Sequence, residues 1–139
     1  MFERCLYFNT QNLARTINRI WVDEFKKYEL SPAHAYLLRL VLAEPGLLQR
    51  EIAEQLGLSK STVTRFIDSL EKRGFLSRRI STTDGRESAV FPERKAKAIH
   101  AKLEASGQKL YQSMILNLGE EPLKSVVVKQ RKIRQQLEG

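Results

Sequence analysis

Between residues 59 and 74, apolar side chains recur at spacings of three and four residues, which is the period of an α-helix. They are Val63, Phe66, Ile67 and Leu70. Ser59 is a favourable N-cap, because its hydroxyl can accept a hydrogen bond from a free N–H of the first turn. Gly74 is a natural end, because glycine adopts the left-handed conformation without steric cost. The pattern therefore predicts one helix with a single buried face.

The segments on either side predict a helix-turn-helix followed by a hairpin. Residues 50–56 have the spacing of a short helix that buries Ile52, Ala53 and Leu56, and Gly57 then supplies a tight turn. Residues 75–91 alternate in two runs, separated by an Asp-Gly pair that is a strong hairpin signal. Helix, turn, helix and hairpin together predict a winged helix.

Four further segments have helical spacing of their apolar residues. They cover residues 3–28, 32–43, 93–118 and 122–137. The first and last of these carry apolar stripes that a winged helix of about 60 residues cannot cover. We expect them to interleave with the same helices of a second copy in a homodimer. The alternative is packing of these stripes within one chain.

The length of 139 residues suits one domain with a real core. We expect a fold that is mainly α with a small β-hairpin wing. Residues 31–92 form the predicted winged helix DNA-binding part of the single domain 1–139. Residues 1–30 and 93–139 form the predicted dimerisation helices.

Composition changes this picture little. Apolar residues make up 42% of the chain and the formal net charge is +8, which favours a polyanionic partner. The sequence has one cysteine and contains no apolar run of membrane-spanning length and no signal peptide pattern, so we expect a cytoplasmic protein. We expect no enzyme, because the sequence shows no nucleophile–base set, glycine-rich phosphate loop or carboxylate pair. His34 and His100 lack partners at metal-ligand spacing, so we expect no metal and no cofactor.

The polar face of the helix at 59–74 is unusual in its first half. Short hydroxyl side chains and long cations lie close together there, and no acidic residue appears before Asp68. Such a face suits the major groove of DNA, where small donors and acceptors read base edges and cations meet phosphates. The duller interpretation is a solvated helix surface.

The chain resembles the MarR family of transcription regulators. The matching segments are LSPAHAYLL (30–38), EPGLLQREIAEQLGLSKSTVTRFIDSLEKRGFLSRR (44–79) and DGRES (84–88). Two departures are Leu48, where the family often has a Ser or Thr cap, and FPERK at 91–95, where it often reads LTEKG. The resemblance implies a homodimeric regulator that acts as a repressor on a palindromic operator and is released by a small hydrophobic or phenolic ligand.

Ten residues form the predicted interface with double-stranded DNA. They are Ser59, Lys60, Ser61, Thr62, Thr64, Arg65, Arg78, Arg79, Asp84 and Arg86. Arg78 and Arg79 are neighbours on one predicted strand, so a regular strand lets one of them face DNA. The resemblance implies that Asp84 orients Arg86, which then enters the minor groove.

Cys5 has two interpretations. A lone cysteine near a helix start often serves as a small buried apolar residue. A helix N-terminus also stabilises a thiolate, which is the form that peroxides attack, so Cys5 is a candidate redox sensor. In the second interpretation, oxidation of Cys5 releases the protein from DNA in place of a small ligand.

A second function class stays open. A winged helix can serve as a protein-interaction or architectural module that prefers no palindrome and responds to no effector. Such a module would expose apolar groups on its second helix, whereas this helix exposes Lys60, Ser61, Thr62 and Arg65.

Overall fold

The computed structural model describes residues 1–80 and 87–139. Residues Met1–Glu104 form one compact unit and Ala105–Gly139 form a second. The first unit holds the helix-turn-helix and a small sheet. The second begins within a long helix and ends with the chain.

The N-terminal part contains two helices in place of the single helix predicted at 3–28. Helix α1 covers Leu6–Phe25, and a short 3-10 helix, Lys26–Tyr28, follows it. The chain then turns at Glu29, which has a left-handed φ of 56°. Helix α2 covers Pro32–Ala43, and Ser31 caps it by accepting a hydrogen bond from the His34 N–H at 3.1 Å. The start and end of α2 agree with the predicted span of 32–43.

The helix-turn-helix consists of α3 (Gln49–Leu56) and α4 (Lys60–Lys72). The turn depends on Gly57, whose φ of 66° lies in the region that favours glycine. Ser59 caps α4 as predicted, and Gly74, with a φ of 82°, follows its C-terminal end. No side chain caps α3, since Leu48 occupies its N-cap.

A three-stranded antiparallel sheet adjoins these helices. Its strands are β1 (Leu47–Leu48), β2 (Leu76–Ile80) and β3 (Ser88–Pro92), in the order β1-β3-β2. The two long strands were predicted, whereas β1 was not, because two residues are too few to show an alternating pattern. The predicted Asp84-Gly85 turn lies outside the described residues.

One face of α4 closes the core of the first unit. Val63, Ile67 and Leu70 are fully buried, and so are Ile52 on α3 and Val90 on β3. The helix packs against both α3 and β2. The apolar stripe that predicted α4 is therefore the surface that fixes its position.

The chain ends in two long helices, α5 (Arg94–Leu118) and α6 (Glu120–Glu138), joined at Gly119. The prediction that the last helix starts at Pro122 was two residues late, because proline is tolerated in a first helical turn. In α1, Leu6, Leu13 and Ile20 are exposed. Helix α6 separately exposes five large apolar side chains, Val126, Val127, Val128, Ile133 and Leu137. None of the helices within the described ranges is both long and apolar enough to span a bilayer.

Because only one face of α4 is buried, substitutions on its two faces should change the free energy of unfolding by different amounts. We expect Ile67→Ala to lower the free energy of unfolding by about 2–5 kcal/mol, because it leaves a cavity in the core. Arg65→Ala, at an exposed position of the same helix, should change it by less than about 0.5 kcal/mol. Urea denaturation at one protein concentration measures both. Equal stabilities of the two variants would show that this face of α4 does not hold the fold together.

Candidate nucleic-acid interface

The start of α4 is ordered by hydroxyl groups. The Ser59 Oγ accepts a hydrogen bond from the Thr62 N–H at 3.2 Å and lies 2.8 Å from the Thr62 Oγ1. Ser61 Oγ lies 3.2 Å from the same oxygen of Ser59. These contacts satisfy a backbone donor of the first turn and hold three short polar side chains at the end of the helix where the macrodipole is positive.

The exposed side of α4 combines these hydroxyls with two cations. Lys60, Ser61 and Arg65 are exposed, and Thr62 is half-buried. The Arg65 Nη2 donates to the Thr62 Oγ1 at 3.4 Å. This surface offers donors, acceptors and positive charge from one rigid element, as a helix in a major groove requires.

Arg78 is on β2 and does not contribute to this exposed surface. Its side chain is turned toward another side of α4. Its Nη2 lies 2.6 Å from Asp68 Oδ1, and its Nη1 lies 2.9 Å from Glu71 Oε1. Its Nε donates to Gln49 Oε1 at 2.7 Å, and Nη2 also reaches the backbone oxygen of Thr64 at 3.2 Å. We call Gln49, Thr64, Asp68, Glu71 and Arg78 the Arg78 cluster.

Thr64 belongs to the Arg78 cluster as well as to the predicted DNA interface. Its hydroxyl donates to the Lys60 backbone oxygen at 2.9 Å and accepts from Gln49 Nε2 at 3.2 Å. Thr64 is exposed, but its side chain is already hydrogen-bonded within the protein. The structure therefore places Thr64 and Arg78 together, on the side of α4 that faces the hairpin.

Arg79 points away from Arg78, as alternation along β2 predicts. Its guanidinium carbon lies 4.2 Å from the centre of the Phe91 ring on β3, and its side chain is exposed. The ring supports the cation without neutralising its charge. Of the two neighbouring arginines, Arg79 is the one presented to solvent.

A further ion pair lies at the end of the β2–β3 ladder that is nearest the predicted turn. The Arg50 Nε on α3 lies 2.8 Å from Glu87 Oε2, next to β3. Sequence reasoning missed both Gln49 and Arg50, because polar positions at the start of a short helix look like an ordinary solvated surface. Asp84 and Arg86, the predicted tip residues, lie outside the described residues. Within the described ranges, no group of three or more His, Cys, Asp or Glu side chains could hold a metal ion.

The half-buried ring of His34 connects α2 to α4. Its centre lies 4.4 Å from that of the Phe66 ring. Partial burial lowers the pKa of His34 below its ordinary value, and the positive charge of Arg73 lowers this pKa further. The neutral ring is therefore the form that fits against α4.

Cys5 is the N-cap of α1. Its sulfur accepts a hydrogen bond from the Phe8 N–H at 3.5 Å, and the residue is half-buried. Two tyrosine hydroxyls of the first unit have other partners. Tyr28 donates to the backbone oxygen of Lys102, and Tyr36 accepts from the Trp21 Nε1–H, each at 3.0 Å.

A shallow surface cavity of about 320 Å³ lies beside α2. It is lined by Tyr36, Arg39, Leu40, Ala43, Gln55, Leu56 and Glu104. Arg39 and Glu104 form a two-bond ion pair across 2.9 and 3.1 Å. The Arg39 hydrogen bond lowers the pKa of the Glu104 carboxyl, and the Arg39 guanidinium lies 4.9 Å from the centre of the Tyr36 ring. The cavity thus combines an aromatic ring with a paired cation.

Comparison with known proteins identifies the type of this fold. The model of the MarR family matches residues 30–88, which contain the helix-turn-helix and both long strands. A relative from Bacillus subtilis, the uncharacterized HTH-type transcriptional regulator YybA, is 27% identical over 96 residues. That alignment covers 69% of this chain and spans 64% of the relative's length, just under two thirds.

Solved structures agree with the family model. The PcaV transcriptional regulator from Streptomyces coelicolor, solved in complex with its natural ligand, has a TM-score of 0.85 at 23% identity, covering 97% of this chain and 95% of its own. The transcriptional repressor CouR, solved bound to a 23-mer DNA duplex, has a TM-score of 0.85 at 22% identity, covering 96% and 94%. These likenesses confirm the predicted fold, mainly α with a winged helix.

The lowered pKa of His34 gives stability a predictable dependence on pH. Because the folded protein binds this proton less readily than the unfolded chain, stability is fully present above the unfolded pKa of 6.5 and falls as the pH falls below it. We expect His34→Gln to lose less stability than the wild type over that acidic interval. Denaturation of both proteins at a series of pH values checks this. Parallel losses in the two proteins would contradict it.

Proposed function

We propose that the chain is a regulator of the MarR family, whose model matches residues 30–88, and that it regulates transcription by binding a palindromic site in double-stranded DNA. The supporting observation is the exposed start of α4, where Lys60, Ser61 and Arg65 project from a helix whose other face is buried. CouR, of similar fold, is bound to DNA in its solved structure. Repression, with release on receiving a signal, is the regulatory direction we propose.

We propose roles for the predicted interface residues that follow their positions. Ser61, Thr62 and Arg65 read the major groove, while Ser59 and Lys60 hold the helix end at the phosphates. Arg79 meets the backbone from the hairpin. The pair Asp84 and Arg86 acts at the tip, where the acid orients the arginine for a narrow minor groove.

A homodimer would place two copies of α4 on one face of the duplex. Successive major grooves on one face are about 34 Å apart, so a two-fold axis through the dimer matches a palindrome. The exposed apolar residues of α1, and separately those of α6, supply surface that a second copy can cover. We propose residues 1–30 and 93–139 as the dimerisation helices and residues 31–92 as the DNA-binding part. Because the protein would act on DNA, we also propose a cytoplasmic location.

Selection of bound duplexes from a random pool tests the function. A regulator of this kind enriches a palindrome with half-sites about ten base pairs apart. An architectural or protein-interaction module enriches no palindrome, and that result would overturn the proposal. The selected duplex and a shuffled version of it then serve as matched probes for variants.

Arg65→Ala separates two modes of DNA contact. If Arg65 reads a guanine, the substitution should cost about 1–3 kcal/mol on the selected duplex and relax specificity at one base position. If Arg65 meets a phosphate, binding should weaken equally on both duplexes and the salt dependence should fall by about one unit of slope. Titrations at several salt concentrations measure both quantities. Unchanged affinity would remove Arg65 from the interface.

We propose two signals for release, and they use different parts of the first unit. A small hydrophobic or phenolic ligand can use the cavity beside α2, which Tyr36 and Leu40 help to line. Alternatively, an organic hydroperoxide oxidises the Cys5 thiol to a sulfenic acid, and the hydroperoxide leaves as the alcohol. Either event must favour the DNA-free form by its difference in free energy between the two states, typically about 1–3 kcal/mol.

Cys5→Ser distinguishes the two signals. Oxidation of Cys5 to the sulfenic acid adds an oxygen, and therefore polar bulk, at a half-buried helix cap. In the thiol form, the sulfur of this cap accepts a hydrogen bond from the Phe8 N–H. If Cys5 is the sensor, hydroperoxide should release the wild type from the selected duplex and leave Cys5→Ser bound, as fluorescence anisotropy would show. If both proteins respond alike, Cys5 serves only in packing and the signal is a ligand. The matched substitution Tyr36→Phe then tests the cavity beside α2.

A further inference from the structure

We propose that Arg78 is a positioning residue, which sets the angle between the hairpin and α4 and acts on DNA through that geometry without touching DNA. The proposal rests on the proposed function, since it assigns a role inside the DNA-binding part. It also separates the ten predicted interface residues into two groups. Arg78 and Thr64 support the structure, and the other eight residues form the proposed interface with DNA.

The hydrogen-bonding capacity of Arg78 is nearly used up inside the protein. A guanidinium has five N–H donors. Four of them point at the acceptors of the Arg78 cluster, at 2.6 to 3.2 Å. The side chain is only 20% exposed. A phosphate could reach Arg78 strongly only by displacing Asp68 or Glu71, whose negative charges would oppose it.

The cluster holds the backbone of β2 as well as its side chain. Glu71 accepts the Arg78 backbone N–H at 3.2 Å with one carboxylate oxygen and the guanidinium with the other. Thr64, Asp68 and Glu71 lie four and three residues apart, so they line one side of α4. Gln49 extends the network to α3 through its bond with Thr64. Three separate elements are therefore joined through one side chain.

The Arg78 cluster adds a polar restraint to the apolar packing of the hairpin, in which Leu76 and Val90 are buried. Strand β3 pairs on its outer side with β1, which supplies two residues. Arg79 lies on the same strand as Arg78. A specific complex requires the hairpin and α4 to fit DNA at the same time, whereas non-specific binding requires only cations near phosphates. A hairpin held at a fixed angle loses less entropy on binding the correct site.

Substitution of the acidic residues of the Arg78 cluster tests the proposal. Affinity for the selected duplex should fall if Arg78 is a positioning residue and rise if the acids only compete with DNA for Arg78. Asp68→Asn keeps the shape of the side chain and removes a negative charge from α4. We expect it to weaken binding to the selected duplex by about three- to thirtyfold, the range for a coupled network contact. Binding to the shuffled duplex should stay unchanged or become slightly tighter, because a repulsive charge is lost. Glu71→Gln should behave in the same way.

Glu54→Gln is the matched control. It removes the same charge from an exposed residue of α3 that lies outside the Arg78 cluster. We expect equal effects on the two duplexes. If Asp68→Asn tightens binding to both duplexes more than Glu54→Gln does, the acids merely compete with DNA for Arg78. That result would overturn the positioning role.

Arg78→Lys provides a second, independent arm. Lysine keeps the positive charge but cannot satisfy four acceptors in one plane. We expect a loss on the selected duplex similar to that of Asp68→Asn, with an unchanged salt slope. Retained affinity would mean that charge alone is needed, and would overturn the proposal. Thermal denaturation of each variant confirms that it is folded, and faster hydrogen exchange of β2 amides in Asp68→Asn reports the loosened strand.

Different results would contradict the proposed function and the positioning role of Arg78. A wild-type chain that prefers no duplex over its shuffled version contradicts the proposed function itself. A wild type that prefers its selected duplex, together with an Asp68→Asn variant that binds both duplexes more tightly, contradicts only the role of Arg78.

Discussion

The burial of one face of α4 is the constraint on which the arrangement of the helix-turn-helix and its sheet depends. Val63, Ile67 and Leu70 are removed from water completely, and each is worth about 1.5–3 kcal/mol of transfer free energy. A rotation of the helix about its axis would expose some of them. The polar side chains at the start of α4 are therefore directed outward by the packing of the opposite face, with the Gly57 turn and the Ser59 cap fixing where the helix begins.

The polar surface of α4 consists of two regions that its sequence does not distinguish, one that projects into solvent and one that pairs with Arg78. Lys60, Ser61 and Arg65 project into solvent from its first two turns. Asp68 and Glu71, further along, turn to Arg78 on β2. Under the proposed function, the negative charge of these two residues would oppose the approach of α4 to DNA. Pairing them with an arginine from the hairpin offsets that charge and connects the two elements.

Helix α2 connects α4 with the remainder of the first unit. Its His34 ring lies against Phe66 of α4, while Tyr36, two residues further on, accepts a hydrogen bond from Trp21 of α1. At the C-terminal end of α4, the Arg73 Nη1 donates to the backbone oxygen of Glu29 at 2.7 Å. Direct contacts therefore join α2 to the middle of α4 and the turn at Glu29 to its C-terminal end. Under the proposed function, these contacts are the physical route from a signal at α1 or α2 to the start of α4.

The sequence by itself determined the helices, the two long strands, the caps and the buried face of α4, because helical and strand periods and the chemistry of Ser59 and Gly57 act locally. The comparisons with the MarR family agree with the fold inferred from those patterns. The two-residue strand β1 and the early start of α6 were not predicted, since neither leaves a periodic signal.

The division of the predicted interface was decided only in three dimensions. Arg78 and Arg79 are identical in composition and adjacent in sequence, yet strand alternation turns one toward two carboxylates on α4 and the other toward solvent over Phe91. The acceptors that occupy Arg78 come from residues 7 to 29 positions away, and no local pattern brings them together.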